Sequence, residues 1–230
     1  MFFIGLDDTD NLESRGTGHL ARQIAAVLAA DYRVLGVIRH QLLRDPRVPC
    51  TKNNSCAALL LPRNGDGDPS VPDLLARVRE MMLADYQPGS DPGLCVAAHV
   101  PPAVTRFGQR AQRELVTQAE ARDLAAAHGL ALLGLGGDED GVIGALAAVG
   151  LAAQGNDGRY VQVGRLRTLT GLQPVAALLE AGLAAVQTLD GRPVVDGLVQ
   201  TDRLRPARRN GRPVAVVEWN GDHWLPLKLD

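Results

Sequence analysis

Phe2-Phe3-Ile4-Gly5-Leu6-Asp7-Asp8-Thr9-Asp10 is the stretch on which the reading turns: an apolar run of strand length that stops on three carboxylates within four residues. Leu20, Ile24, Val27 and Leu28 follow at helical spacing, and Val34 to Ile38 form a second apolar run, so the order is strand, loop, helix, strand. Open α/β sheets place ligand sites beyond strand ends, which makes the position of this acidic turn as informative as its composition. Carboxylates this close repel one another unless water, a basic partner or a divalent cation neutralises them. Magnesium takes oxygen ligands and arrives with phosphates, so Asp7, Asp8 and Asp10 are candidate metal ligands, with Asp8 also a candidate catalytic residue. The alternative is an Asx-type turn whose acids only cap the loop.

Three further segments have chemistry that fits such a site. Arg15-Gly16-Thr17-Gly18-His19 opens the first helix, where backbone N–H groups attract anions and glycines let a phosphate approach. Gly16 and Gly18 are therefore candidate nucleotide contacts, and Thr17 is either a helix cap or a phosphate-contacting hydroxyl. The polar loop from Arg44 to Ala57 feeds a buried strand and could bring Lys52 and the amides of Asn53 and Asn54 onto a nucleotide, or be ordinary punctuation. The glycine-rich turn from Gly136 to Gly144 offers Gly137, Gly141 and Gly144 as a phosphate or base cradle, without G-x-G-x-x-G spacing. Nothing matches G-x-x-x-x-G-K-[ST].

Strand and helix alternate along the rest of the chain. Ala57 to Leu61, Leu94 to Val100, Leu130 to Leu135 and Tyr160 to Val163 read as strands. Ser70-Val71-Pro72-Asp73 and Thr117-Gln118-Ala119-Glu120 read as helix-opening capping boxes, the second helix ending at Gly129. The strand after Leu94 stops at Pro101-Pro102, and a short small-residue helix from Val142 to Val149 ends at Gly150. The tail holds a helix begun by Pro174, an Asp190-Gly191 turn, and strands near Val194 to Val199, Val214 to Trp219 and Trp224 to Lys228. The expected fold is α/β: a mixed sheet with flanking helices in residues 1–165, and a small C-terminal α/β module, or completion of the main sheet, in residues 166–230.

A formal net charge of -2 excludes a polycation built to coat nucleic acid, so any RNA binding must be local. The one dense basic stretch, Arg203, Arg205, Arg208, Arg209 and Arg212 around Asn210-Gly211, is either a solvated hairpin tip or a phosphate patch. Cys50, Cys56 and Cys95 form no C-x-x-C pair, so no disulfide framework and no zinc site are expected. The N-terminus shows no basic leader and no segment reaches bilayer length, so a reducing, cytoplasmic setting without membrane contact is expected. Oligomerisation stays open.

Taken together, Ile4 to Asp10, Gly16 to Ala21, Arg44 to Ala57 and Gly141-Val142-Ile143-Gly144-Ala145-Leu146-Ala147-Ala148-Val149-Gly150 resemble the kinase-like domain of archaeal tRNA-isoleucine agmatinylcytidine synthetase, with Asp91-Pro92-Gly93 also matching. The resemblance covers about residues 1–165. It implies an ATP-using domain that phosphorylates the wobble cytosine of a tRNA so that agmatine displaces the phosphate. It also implies a phosphorylated threonine at the position of Thr17, and magnesium at Asp7, Asp8 and Asp10. The family's OB-fold and cysteine-rich zinc ribbon have no counterpart up to Asp230, and the tail does not match its ferredoxin-like domain. The leading expectation is a stand-alone ATP- and Mg2+-dependent phosphotransferase or synthetase with an unknown small-molecule or RNA acceptor. The alternatives are wobble-cytidine modification with a partner subunit, and a non-catalytic nucleotide sensor.

Overall fold

Side-chain alternation along the first strand sets the layers of the molecule, whose computed structural model describes residues 1–65 and 67–229. The sheet elements that carry the site are β1 (Phe2–Asp7), β2 (Gly36–Gln41), β3 (Ser55–Leu61), β4 (Gly93–Ala97), β5 (Ala131–Gly134) and β6 (Arg159–Gln162). Phe2, Ile4 and Leu6 point to one face, where they share a core with Leu20 and Ile24 of α1 (Thr17–Leu28) and with Leu74, Val78 and Met82 of α2 (Val71–Ala84). The opposite face, carrying Ala58, Leu60 and Cys95, packs beneath α3 (Pro102–Ala111), α4 (Gln118–Ala127) and α5 (Gly141–Gln154). Helices on both faces of one sheet are the arrangement expected for this class.

Strand order runs β5-β4-β1-β3-β2-β6 and continues through β10 (Ala207–Arg209), β11 (Arg212–Trp219), β12 (Trp224–Pro226), β9 (Leu198–Gln200) and β7 (Leu172–Pro174), with β8 (Ala185–Thr188) also on β11. The sheet is mixed, as expected, but the first six strands pair antiparallel throughout. Parallel pairing occurs between β8 and β11 and between β9 and β12. The end of β1 is thus not the carboxyl edge of a parallel sheet. The tail joins the main sheet through Ala207, which pairs with Arg159. Asn210 and Gly211 have φ of 48° and 75° and close the β10–β11 hairpin, the mirror-image turn that matches strand twist.

Both capping boxes form: Ser70 Oγ accepts from Asp73 N, and Thr117 Oγ1 from Glu120 N. Several elements differ from expectation: the strand read near Val194 to Val199 is confined to β9, Leu198–Gln200, and β7, β8 and β10 have no apolar run long enough to mark them. Pro101 and Pro102 do not only stop a strand; Pro102 is the first residue of α3, where a missing N–H costs nothing. And α5 runs past Gly150 to a left-handed cap at Gly155. Gly150 stays inside the helix because the Val104 carbonyl of α3 occupies the place of its Cβ. That packing leaves α5 buried almost all round, with Leu146 and Leu151 fully enclosed. Each such leucine contributes roughly 1.5–3 kcal/mol relative to exposure.

Candidate active site at the end of the first strand

Asp8 takes a left-handed backbone conformation, φ 49°, which Asp tolerates better than most residues, and this bends the chain off the sheet after Asp7. Asp7, the last residue of β1, faces α5, where Gly144 leaves room for its carboxylate; a Cβ on Gly144 would collide with it. The chain then buries Thr9 and returns through an Asx turn at Asn11, whose Oδ1 accepts from Glu13 N and Ser14 N. The Asx turn weighed for the aspartates therefore lies one residue beyond them.

Asp10 has a different role. Its Oδ1 accepts from Thr17 N and Thr17 Oγ1, both at 3.2 Å, and its Oδ2 accepts from Thr51 Oγ1 at 2.9 Å. One carboxylate thus caps α1 and ties it to the loop between β2 and β3. Gly16, not Thr17, is the N-cap residue, so the cap reading of Thr17 gives way to Asp10 acting from a distance. The buried Thr17 hydroxyl also accepts from Thr9 Oγ1 at 3.2 Å.

The 42–54 loop is held at both ends. Leu42 N and Gln41 Nε2 donate to the Asn54 carbonyl, and Asn54 Nδ2 donates to the Leu43 carbonyl at 2.9 Å. The Asn54 side-chain amide is therefore engaged within the loop. A cleft opens between this loop and the acidic turn, lined by Asp7, Asp8, Thr17, Asn53, Asn54 and Asp140 on its polar side. Leu42, Leu43, Val48, Leu115 and Ile143 supply its apolar side. An adjoining cleft is lined by Asp10, Gly16, Gly18, His19, Lys52 and Asn53.

The electrostatics are strained in one direction. Burial, followed by the neighbouring Asp8 charge, pushes the Asp7 carboxyl up to about 8. Burial and then the charges of Asp91, Asp10 and Asp140 push Asp8 up to about 6. Among the described residues no three His, Cys, Asp or Glu side chains converge as a ready-made metal cage.

The expected residues fall into two groups. Asp7, Asp8, Asp10, Thr17, Lys52, Asn53, Asn54, Gly16 and Gly18 come together around two adjoining clefts. Gly137, Gly141 and Gly144 line neither. Gly141 and Gly144 are buried against the backbone of β4 and the Asp7 carboxylate, and a Cβ on Gly137 would meet the Asp91 carboxylate, so the missing side chains serve packing. Polar residues that the sequence does not single out also reach the site: Thr51 and Asp140 line the cleft, Thr9 bonds Thr17, and the Asp91 charge acts on Asp8. Thr9 lay within the quoted acidic turn and Asp91 within the Asp-Pro-Gly segment, but neither position alone signals a role.

No protein-family model and no curated protein matches the chain. Solved structures do. The complex of TiaS with an isoleucine tRNA and ATP is 24% identical with a TM-score of 0.57, over 65% of this chain and 36% of that one. A tRNA fluorescent labeling enzyme is 25% identical with a TM-score of 0.56, over 65% and 35%. The complex of TiaS with the same tRNA, AMPCPP and agmatine is 25% identical with a TM-score of 0.54, over 65% and 36%. The similarity thus covers 65% of this chain and roughly a third of the length of the proteins it matches. No helix among the described residues is long and apolar enough to cross a membrane.

Proposed function

We propose that the cleft at the end of β1 binds a nucleoside triphosphate with magnesium, and that the chain is an ATP-dependent phosphotransferase or synthetase. The observation that carries this reading is the convergence, in one cleft, of two carboxylates with raised proton affinity, a buried threonine hydroxyl bonded to a third carboxylate, and an apolar wall. Such carboxylates favour a cation at neutral pH. Asp7 and Asp8 would hold magnesium, which would neutralise phosphate charge, while Asp10 is engaged with α1 and the 42–54 loop. The apolar wall of Leu42, Leu43, Val48 and Ile143 suits a base, and Lys52 stands at the rim for phosphate oxygens. In such a site catalysis is mainly positioning and electrostatics.

Thr17 is a candidate phosphoryl acceptor. Its Oγ1 donates to Asp10 Oδ1, so Asp10 is placed to take the proton as the oxygen bonds phosphorus and the nucleoside diphosphate leaves. The external acceptor is a small molecule or an RNA. A tRNA acceptor is favoured by the solved structures in complex with an isoleucine tRNA, and with it a cytoplasmic setting. Residues 1–165 form the nucleotide-binding unit of this reading, and the tail extends its sheet.

Thermal denaturation with ATP and magnesium tests the site. Ligand at a hundred times its Kd stabilises the folded state by about 2.7 kcal/mol. Asp8→Asn keeps the left-handed turn, since Asn is also enriched there, and should remove the shift. An undiminished shift in Asp8→Asn would reject the assignment.

A further inference from the structure

The arginines that gather at 203–212 in sequence are dispersed by the fold. Arg208 is buried, donating to the Tyr160 hydroxyl at 2.7 Å and the Gly211 carbonyl at 3.0 Å, and Arg209 turns back on the Arg208 carbonyl. Arg205 instead lines one cleft with Arg167, which sits in a short 3-10 turn, Leu166–Thr168, while Arg15 just ahead of α1 and Arg22 on α1 share His19 as a neighbour.

These four guanidinium groups reach neutral atoms. Arg22 donates to the Gly18 carbonyl at 3.1 Å, Arg167 to the Val161 carbonyl at 3.2 Å and Arg205 to the Leu204 carbonyl at 2.8 Å. Arg15 and Arg22 bracket His19, at 3.5 Å from Nε2 and 3.2 Å from Nδ1. Among the described residues none of the four has a carboxylate within ion-pair distance, although other arginines of the chain do, such as Arg47 and Arg192. Arg167 and Arg205 line a shallow cleft together with Gln162, Thr201 and Asp202. Asp202 is engaged elsewhere, accepting from Gly171 N at 3.0 Å and from Gln200 Nε2. A further acid, Asp85, acts on His19.

Like charges converge here without carboxylate partners on a chain that is acidic overall. Val161, whose carbonyl Arg167 reaches, packs against the core that holds Leu20 and Ile24 of α1, which brings the two pairs onto one side of the sheet, where burial and the neighbouring guanidinium charges lower the proton affinity of Arg22. Arg15 and Arg22 reach the two nitrogens of one imidazole, and Arg167 and Arg205 lie in a separate cleft, so the four together span more than a single phosphate. The surface also adjoins the acidic turn, because His19 and Gly18 line the cleft that holds Asp10 and Lys52.

We infer that Arg15, Arg22, Arg167 and Arg205 form a second binding surface, distinct from the acidic turn, that takes an extended chain of phosphate groups. Guanidinium groups bind phosphate oxygens in pairs, and a row of them suits successive phosphates. The chain of phosphates comes from a nucleic-acid strand or from an inorganic polyphosphate. The inference does not depend on the nucleotide reading of the acidic turn.

Two probes separate the sources: a labelled single-stranded RNA dodecamer and tripolyphosphate, each titrated against the full chain over a range of salt. Wild-type protein should bind at least one of them. For the dodecamer, the slope of log affinity against log salt should fall by about 0.7 for each arginine removed. Arg15→Gln combined with Arg167→Gln changes two exposed side chains and should weaken binding about tenfold at low salt. The melting temperature and the ATP–magnesium shift should stay in place, which separates this surface from the nucleotide site. Arg192→Gln, which removes a surface arginine paired with Asp190, should leave binding unchanged. Failure of both probes to bind, binding indifferent to the double substitution, or an equal loss in Arg192→Gln overturns the inference.

Discussion

The two turns rich in glycine and aspartate, Asp7 to Gly18 and Gly136 to Gly144, look alike in sequence, and the fold uses them in opposite ways. The first opens onto clefts: Asp8 and Thr17 line one, Gly16 and Gly18 the other, and a Cβ on Gly18 would meet nothing within 4 Å. The second is closed. Its helix α5 lies so near the sheet that Gly141 and Gly144 are filled in by β4 and by Asp7. A glycine in a strand-to-helix turn therefore signals closeness of some atom, and only the third dimension says whether that atom is a ligand's or the protein's own.

The sharpest way to break this comparison is Gly144→Ala. The added methyl must displace the Asp7 carboxylate or lift α5, so a loss of about 3 kcal/mol or more is expected from overpacking. Chemical denaturation measures it, and a loss under 1 kcal/mol would mean that α5 is not seated as described.

Next in size is a pH effect at the open turn. Asp7 and Asp8 titrate near 8 and 6 in the folded chain, above the unfolded carboxylate value near 4, so the folded state holds more protons between those limits. Stability from these groups is therefore present at low pH and falls as pH rises from about 4 to about 8. Asp7→Asn should flatten that fall, by on the order of 2 kcal/mol given that Asp7 is partly open to solvent. Magnesium with ATP should flatten it in the unaltered chain. Melting curves from pH 5 to pH 8.5 decide this, and parallel curves for the two proteins would remove the strained-carboxylate argument.

Thr17→Val tests the hydrogen bonds that hold the open turn. Loss of the contacts to Asp10 and Thr9 should cost about 1–2 kcal/mol and abolish any phosphate uptake on the Gly16 to Arg22 peptide, read by mass spectrometry. Persistence of the phosphate would exclude Thr17 as its acceptor. Smallest is Gly18→Ala, in free space on the first turn of α1, which should stabilise the apo chain by up to about 1 kcal/mol. A destabilisation like that of Gly144→Ala would erase the distinction between the two turns.

Much of the layout is legible without coordinates. Capping boxes at Ser70 and Thr117 mark helix starts because their hydrogen bonds are local, and the β1 and β3 strands declare themselves by apolar runs closed by polar residues. Helix α3 is not legible, because Pro101-Pro102 reads equally as a terminator and as a helix start, and the docking of Phe107 and Val104 on α5 settles which. Gly150 misleads for the same reason: propensity ends a helix there, and a tertiary contact with Val104 carries it on to Gly155.

The sequence alone determined the strand-turn-helix order, the acidic turn at the end of β1, and the residues Asp7, Asp8 and Thr17 as the place to look. These depend on neighbours within a few positions, where chain geometry leaves few choices. Tertiary structure decided the antiparallel pairing, the role of Asp10 as the clamp between α1 and the 42–54 loop, the closure of the 136–144 turn, and the union of Arg15 and Arg22 with Arg167 and Arg205. Each of those requires segments distant along the chain to meet, and their meeting is set by how the two faces of the sheet bury their apolar surface, which no local pattern records.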